Sequence, residues 1–431
     1  MSQAARFGAR HITRGIGRMS QHVLKSGRGA FVMTDEGKRL LDMTSGIGVV
    51  NLGHCHPAVT KAAQEQCATI THAQVNIGYS VAQLDLVKEL LTIMPHPSLD
   101  TFFLWNSGSE AVEAAIKVAR MVTGRPNLIV VQGSYHGRTN ATASMTRSKT
   151  VYSEGVSPFM PGVYTTDFPY YAHMFKPVNT PTDELVDFCL KRLELMLKQE
   201  TSPRDTAAFI LEPVLGEGGY VPAPSAYLHG LRSICDKHGI MLVADEVQSG
   251  FGRTGKMFAV EHSGVRPDMM TFAKGLANGY PLSGLVASKA VMDVMPPGSM
   301  GGTYAGNAVA CAASRATIET FRRERVLENV AARSEQLMKA LTNMRQQPFG
   351  HVIEDIRGLG LMIGVQFQSN SSEPIAPRLS QACLKRGMLL MSTSSFDVIR
   401  WIPPLTVSEE ELAQAVEIFQ ASLEEVVSQQ S

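Results

Sequence analysis

The stretch "YLHGLRSICDKHGIMLVADEVQSGFGRTG", residues 227–255, joins a helical pattern directly to a buried strand. Apolar positions recur with helical spacing as far as Gly239, which is placed like a C-cap glycine. The next residues, "IMLVAD" at 240–245, form an unbroken apolar run of strand length that ends on a carboxylate. A helix followed at once by a fully buried strand is typical of an α/β fold with a mostly parallel sheet.

Other parts of the chain repeat this alternation. Helical periodicity marks "SEAVEAAIKVARMVTG" at 109–124, and "PDMMTFA", just before Lys274, could be one more short strand. The other strand-like runs are "TFFLW" at 101–105, "NLIVVQ" at 127–132, "AAFILEP" at 207–213 and "GLVAS" at 284–288. We therefore predict one large α/β domain over residues 61–324.

The C-terminal part of the chain has a different character. Helical stretches alternate there with two strand patterns. The first 60 residues also hold short strands, so we expect them to join this C-terminal part. The segments are helices near 325–346 and 377–386 and from about 408, with "GLGLMIGVQF" at 358–367 and "VIRWIP" at 398–403. We predict a smaller α+β domain made from residues 1–60 and 325–431.

Composition excludes several classes of protein. The 431 residues carry a formal net charge of +1, which argues against a nucleic-acid partner. No apolar run approaches the ~18 residues of a membrane-spanning helix. The six cysteines are scattered without a C-x-x-C pair, as expected of reduced thiols in a cytoplasmic protein.

The N-terminus leaves two interpretations open. Arg6, Arg10, Arg14 and Arg18 recur at every fourth position and would form a basic stripe on a helix. A mitochondrial presequence can look like this, which would place the protein in the matrix. The stretch is short of serine and has no clear apolar face, which favours an ordinary N-terminal arm.

The sequence "GHCHP" at 53–57 resembles a metal-binding cluster. Its three adjacent candidate ligands would point in alternating directions in an extended chain, so one ion could not use them all. A turn with Pro57 at the start of a helix explains the residues better, and we predict no metal site.

The stretch "TFAKGLANGYPLSG", residues 271–284, contains a single lysine and no other charged residue. Burial in apolar surroundings lowers the pKa of an amine, and a neutral amine can form a Schiff base with an aldehyde. A surface lysine with an apolar stem is the alternative explanation of Lys274.

Two further features favour a reactive amine over a surface lysine as the explanation of Lys274. Ser107, Gly108 and Ser109 lie between a strand and a helix, where they could bind phosphate or simply cap the helix. Asp245 ends a buried strand, where α/β sheets bind ligands, although a single aspartate there is more often a cap or an ion-pair partner. A phosphate cradle, a carboxylate and a low-pKa amine together predict pyridoxal phosphate as cofactor.

Two arginines suggest an anionic substrate, and an aromatic residue and a glutamate accompany them. Tyr135, in "GSYHGRT", could stack on a flat ring or pack in the core, and Arg138 could bind a carboxylate. Arg400 lies in an apolar strand and therefore needs an anionic partner or substrate. Glu217, in a glycine-rich loop, is a candidate for that partner.

Taken in order, these motifs resemble the class III aminotransferases, which are fold-type I pyridoxal phosphate enzymes, and within that class the 4-aminobutyrate aminotransferases. The likeness covers nearly the whole chain. It is carried by "SGIGVVNLGHCHP", "SGSEAVEAAIKVAR", "YHGRT", "EPVLGEGG", "ADEVQSGFGRTG", "TFAKGL", "GGTYAGN", "DIRGLGLMIGV" and "IRWIPPLT". The resemblance implies a large domain with a seven-stranded, mostly parallel sheet and a small domain built from both chain ends.

The resemblance also implies roles for individual residues. Lys274 and Asp245 would be catalytic, the first as the Schiff-base amine and the second as the partner of the pyridine nitrogen. The cofactor would be held further by Ser107, Gly108, Ser109, Tyr135, His136, Val247 and Gln248, and by Thr303 of a second subunit. The substrate would be bound by Ile47, Arg138 and Arg400, with Glu217 pairing to Arg400 whenever the substrate lacks an α-carboxylate.

The implied activity is transfer of the ω-amino group of 4-aminobutyrate, or of a similar ω-amino acid, to 2-oxoglutarate by a ping-pong mechanism in a homodimer or a tetramer. Alternatives on the same scaffold are other donors, namely 5-aminovalerate, β-alanine, acetylornithine or amines, and decarboxylation of a 2,2-dialkylglycine. Three stretches depart from the family pattern and could reshape the substrate entrance: Phe251, Trp401 and residues 152–162.

Overall fold

The computed structural model describes residues 1–368, 373–393 and 395–429. The strands are β1 (Leu24–Arg28), β2 (Phe31–Thr34), β3 (Arg39–Asp42), β4 (Thr101–Trp105), β5 (Asn127–Val131), β6 (Val163–Thr166), β7 (Thr206–Leu211), β8 (Val214–Leu215), β9 (Val221–Pro222), β10 (Met241–Asp245), β11 (Met269–Phe272), β12 (Ser283–Ala287), β13 (Ile353–Leu359), β14 (Met362–Phe367), β15 (Met388–Leu389), β16 (Met391–Thr393) and β17 (Val398–Trp401). The helices are α1 (Gln3–His11), α2 (Ser45–Gly48), α3 (Pro57–Thr69), α4 (Val81–Leu91), α5 (Gly108–Thr123), α6 (Asn140–Met145), α7 (Thr182–Gln199), α8 (Ser225–His238), α9 (Lys289–Met292), α10 (Ala308–Arg323), α11 (Val326–Arg345), α12 (Ile375–Lys385) and α13 (Glu409–Ser428).

A seven-stranded sheet forms the centre, in the order β4-β12-β11-β10-β7-β5-β6. Only β12 runs antiparallel to its neighbours, β11 and β4. The residues of β7 and β10 are buried throughout, as the unbroken apolar runs predicted. The expected α/β fold with a mostly parallel seven-stranded sheet is therefore confirmed.

One of the smaller sheets combines the two ends of the chain, and another is made of C-terminal strands alone. The strands β1, β2 and β3 form a sheet with β15, in which Leu41 of β3 pairs with Met388 of β15 in parallel. The other sheet, β13-β14-β17-β16, is antiparallel. The stretch 358–367, which the sequence suggested as one strand, contains the turn between β13 and β14, because Gly358 and Gly360 have positive φ.

The N-terminal arm is less helical than its arginine spacing suggested. Helix α1 ends at His11, so Arg6 and Arg10 lie on it while Arg14 and Arg18 follow it. The turn at "GHCHP" is confirmed, since Pro57 begins α3. No helix among the described residues is long and apolar enough to cross a membrane.

Arg253 connects three parts of the chain in the interior. Its guanidinium is fully buried and donates to the carbonyls of Leu361 at 3.0 Å and Pro403 at 2.6 Å. It also donates to the Asn51 side chain at 2.8 Å. One side chain thus satisfies polar groups from the N-terminal, central and C-terminal segments.

Candidate active site

Asp245 lies at the carboxyl end of β10, near the middle of the central sheet, and is almost fully buried. Its Oδ1 accepts hydrogen bonds from the Val247 amide at 3.1 Å and the Thr271 hydroxyl at 3.2 Å. Its Oδ2 lies 2.7 Å from Nδ1 of His136, which donates to it. Neighbouring strands therefore fix the orientation of the carboxylate.

His136 reaches Asp245 from the loop after β5. Its backbone amide donates to the Thr146 hydroxyl at 3.1 Å, which holds the loop against α6. Its Nε2 is buried and has no partner among the described residues. Such an orphaned polar atom beside a cavity indicates a missing ligand or water.

The amino end of α5 faces the same place. Ser107 caps this helix, and its hydroxyl and backbone amide exchange hydrogen bonds with Glu110 in a capping box. The expected cap is therefore present, and Ser107, Gly108 and Ser109 also line the cavity described below. A Cβ on Gly108 would lie 2.8 Å from Cγ1 of Val247, so only glycine lets the helix approach this closely.

Lys274 follows β11, parallel neighbour of β10, in a short 3₁₀ turn. Its φ of 44° lies in the left-handed region, which is uncommon for a lysine and marks a constrained position. Burial lowers the pKa of its amine, despite the attraction of Glu217, Glu212 and Asp245. The fraction of neutral, nucleophilic amine is correspondingly increased.

These side chains share one cavity of about 310 Å³. Asp245, Lys274, His136, Tyr135, Val247 and Gln248 all line it. Gln248 accepts a hydrogen bond from the Tyr220 hydroxyl at 2.9 Å, while its amide nitrogen donates to no described residue. The cavity therefore presents an amine, a carboxylate, a helix N-terminus and an unused amide donor to one ligand.

Arg400 and Glu217 form a buried ion pair next to this cavity, through Nη1 and Oε1. Burial opposes ionisation of Glu217, but Arg400 lowers its pKa below the usual range. The Thr393 hydroxyl donates to the other carboxylate oxygen at 3.2 Å. The structure thus brings together two residues that the sequence separates widely.

Arg138 lies at the surface above Tyr135. Its Nε donates to the Tyr135 hydroxyl at 2.9 Å, and its guanidinium carbon is 4.7 Å from the centre of the Tyr152 ring. The variant stretch 152–162 therefore reaches this part of the site. Phe251 and Trp401, in contrast, are buried in the core against Phe258 and Phe419 and do not shape an entrance.

Ile47 and Thr303, like Arg138, Glu217 and Arg400, lie outside the lining of the cavity. Ile47 has a φ of 66° between two glycines that also have positive φ, a strained arrangement for a β-branched residue. Thr303 is exposed. Within this single chain, the structure does not bring Thr303 to the other candidate residues.

Glu212, at the end of β7, was not singled out from the sequence. Its carboxylate accepts from the backbone amides of Tyr135 at 2.9 Å and Gly216 at 3.0 Å, and it lines the cavity. Burial raises its pKa to about 7. Its position directly after a buried strand, like that of Asp245, was the available signal.

Comparison with known proteins defines the class. The family model described as "Aminotransferase class-III" matches residues 14–423. The chain is 38% identical over 420 residues to 5-aminovalerate aminotransferase DavT of Pseudomonas putida, with 96% of each chain covered. It is 35% identical over 421 residues to 4-aminobutyrate aminotransferase GabT of Escherichia coli, again with 96% of each covered. A crystal structure of an (S)-enantioselective ω-transaminase from Thermomicrobium roseum superposes with a TM-score of 0.90 at 32% identity, covering 99% of both chains.

Fold and site together define a fold-type I, pyridoxal-phosphate-dependent transaminase. The chain belongs to the class III aminotransferases. Two independent observations indicate that the site can hold pyridoxal phosphate, the cofactor of this family. His136 Nε2 is a buried polar atom without a described partner, and the gap between Gly108 and Val247 would be filled by a single Cβ.

Proposed function

We propose that this enzyme transfers the ω-amino group of 4-aminobutyrate, or of the homologous 5-aminovalerate, to 2-oxoglutarate in two successive half-reactions. The names of the relatives support this donor class. The observation that carries the proposal is the buried Arg400–Glu217 pair beside Lys274, because it suits a pocket that must accept both one and two carboxylates.

The cofactor would be held by the residues that line the cavity. Pyridoxal phosphate, when bound, supplies an aldehyde that takes up amino groups and a ring that withdraws electrons from the reacting carbon. Asp245, oriented by His136, would keep the pyridine nitrogen protonated. Ser107, Gly108 and Ser109 would hold the phosphate at the helix N-terminus.

The remaining cofactor contacts would come from three other side chains. Tyr135 and Val247 would enclose the ring from its two faces, and the free amide donor of Gln248 would contact the phenolic oxygen. The Lys274 amine, whose pKa burial lowers, would attach the cofactor and would hold the proton that leaves the substrate carbon bearing the amino group.

Arg138 and Arg400 would divide the work of binding carboxylates. Arg138 would bind the distal carboxylate of 4-aminobutyrate or glutamate at the mouth of the site, and Ile47 would contact the aliphatic chain between. Arg400 would bind the α-carboxylate of glutamate or 2-oxoglutarate, which 4-aminobutyrate lacks. When 4-aminobutyrate is bound, Glu217 would neutralise Arg400, since a buried unpaired charge is costly.

We also propose a homodimer that acts in the cytoplasm. Thr303 would complete the phosphate site of the neighbouring subunit, which accounts for its exposure on a single chain. Ile77 and Tyr79 are about nine-tenths exposed, as expected of side chains that a partner subunit covers. The six cysteines are all free thiols, which suits a reducing compartment.

The Glu217→Gln enzyme tests whether Glu217 pairs with Arg400 only when the substrate lacks an α-carboxylate, an exchange that we call the switch. The two half-reactions are followed separately, with 4-aminobutyrate and with glutamate, and the ratio of their second-order rate constants is compared with that of the wild type. We expect the preference for 4-aminobutyrate to fall about tenfold, because Arg400 is left uncompensated when a monocarboxylate binds. An unchanged ratio would refute the role of Glu217.

A further inference from the structure

Lys149 is a half-buried amine without a partner. It lies just before the 3₁₀ turn Thr150–Tyr152, and its side chain makes no hydrogen bond or ion pair with a described residue. Burial lowers the pKa of its amine, whereas most lysines of this chain are exposed. A lysine held in such a position without an anion requires an explanation.

The surroundings of Lys149 connect it to the Arg400–Glu217 pair. Lys149 and Thr393 line one cavity of about 370 Å³. The Thr393 hydroxyl donates to the Glu217 carbonyl at 3.1 Å and to the Glu217 carboxylate at 3.2 Å. Thr393 therefore contacts Glu217 and also lines the cavity that Lys149 lines.

The cavity offers Lys149 no free carboxylate of its own. Asp397 is the one acidic residue among the described residues that line it. Both of its oxygens accept hydrogen bonds from backbone amides at the start of α12, from Ile375 at 2.6 Å and Ala376 at 2.7 Å. Asp397 thus binds the first amides of α12, and it forms no ion pair with Lys149.

The charges around Lys149 favour a movement of the Glu217 carboxylate toward its amine. Glu217 attracts Lys149 electrostatically, and Arg400 repels it. Glu217 lies between Gly216 and the pair Gly218–Gly219, and Gly219 has a φ of 123° that other residues rarely adopt. These glycines let the buried loop pack closely against Gly133 and Gln248, so the Glu217 carboxylate would move by rotation of its side chain.

We propose that Lys149 receives the carboxylate of Glu217 when the α-carboxylate of glutamate or 2-oxoglutarate takes its place on Arg400. With 4-aminobutyrate bound, Glu217 neutralises Arg400 and Lys149 is left as a surplus cation. With a dicarboxylate bound, the substrate neutralises Arg400 and Glu217 neutralises Lys149. Every buried charge then has a partner in that state, which a switch without Lys149 would not achieve.

This inference rests on the proposed function, because it assumes that Arg400 binds an α-carboxylate. Lys149 acts in it as a positioning residue, since in this proposal it would contact Glu217 and not the substrate. Its loss should therefore affect one half-reaction more than the other, whereas a general loss of structure would affect both.

The test measures both half-reactions of the Lys149→Met enzyme by rapid-mixing absorbance. We expect the rate constant with glutamate, at concentrations below saturation, to fall about tenfold. The rate constant with 4-aminobutyrate should change by less than about twofold. Lys149→Arg should retain most of the glutamate reaction, and Lys198→Met, at an exposed position on α7, should leave both unchanged.

A double variant separates this role from direct contact with substrate. If Lys149 acts through Glu217, adding Lys149→Met to Glu217→Gln should cause no further loss with glutamate. A loss that persists in the Glu217→Gln background, or equal losses in both half-reactions, would overturn the proposal. Failure of the wild type to react with both 4-aminobutyrate and 5-aminovalerate would refute the proposed function instead, and the glutamate measurements would still decide the role of Lys149.

Discussion

Glu246 is a buried carboxyl next to Asp245, and burial raises its pKa to about 7. It accepts hydrogen bonds from the Ser249 hydroxyl at 2.5 Å and the Val260 amide at 2.8 Å. In the unfolded chain the same group releases its proton near ~4.3. Between these values the unfolded state binds fewer protons, so this residue lowers the stability of the fold as the pH rises from about 4.5 to about 7.

Glu246→Gln should remove that dependence. Glutamine can accept from Val260 and donate to Ser249, so the hydrogen bonds are kept. The melting temperature of the variant relative to the wild type should rise by about 2 °C or more between pH 5 and pH 8. The exposed Glu194→Gln serves as control, and a constant difference across this pH range would contradict the account.

Single residues could be predicted from the sequence where their charge conflicts with their surroundings. Lys274 and Asp245 stand in or directly after apolar runs, and an ionisable group there needs a function or a partner. Glu212 has the same setting, but its two backbone partners come from other segments and are visible only in the structure. For Arg400, in contrast, the sequence offered Glu217 as a candidate partner, and the structure brings the two together.

At the scale of elements, α5 is the helix whose amino end we propose as the phosphate cradle. Gly108→Ala should be harmless to the helix, since alanine favours helix formation. The added Cβ would meet Val247 at 2.8 Å, so the ring and phosphate positions must move apart. We expect the dissociation constant of pyridoxal phosphate, measured by absorbance titration, to rise about tenfold.

The matched control is Gly8→Ala on α1, where a Cβ would make only an ordinary contact at 4.0 Å. Equal cofactor affinity in Gly108→Ala and the wild type would show that the cradle is not where we place it. A loss of folding in Gly108→Ala but not in Gly8→Ala would show that Gly108 serves the packing of α5 instead.

Most elements of the central sheet could be predicted because its strands are continuous apolar runs between recognisable helices. The antiparallel direction of β12 could not, since burial on both faces gives the same pattern in either direction. The N-terminal helix was overestimated for a related reason. Regular arginine spacing describes a possible face, but it supplies no packing energy to hold residues beyond His11 in a helix.

At the scale of the whole molecule, Arg253 links the segments that build the site. Its buried guanidinium has no acidic partner among the described residues, and burial lowers its pKa to about 9. Arg253→Met would leave the carbonyls of Leu361 and Pro403 without their donor. We expect a loss of about 2–4 kcal/mol in the free energy of unfolding, measured with denaturant.

Arg204→Met is the control, because Arg204 is exposed and forms no ion pair with a described residue. Equal stability of the two variants would contradict the linking role of Arg253. The joining of both chain ends in one sheet, through Leu41 and Met388, could not be derived from local patterns at all. The short strands at both ends, and then the resemblance to a known family, predicted only that the two ends share a small domain, and the exact domain boundaries remain a prediction.

The most direct test of the whole account is an absorption spectrum of the purified enzyme, loaded with pyridoxal phosphate and mixed with 4-aminobutyrate without any keto acid. We predict that the band of the lysine-bound cofactor near ~420 nm is replaced by that of the aminated cofactor near ~330 nm. The Lys274→Ala enzyme should lack the first band. A ~420 nm band in the wild type that neither 4-aminobutyrate nor 5-aminovalerate alters would contradict the proposed donor, and its absence after loading would contradict the role given to Lys274.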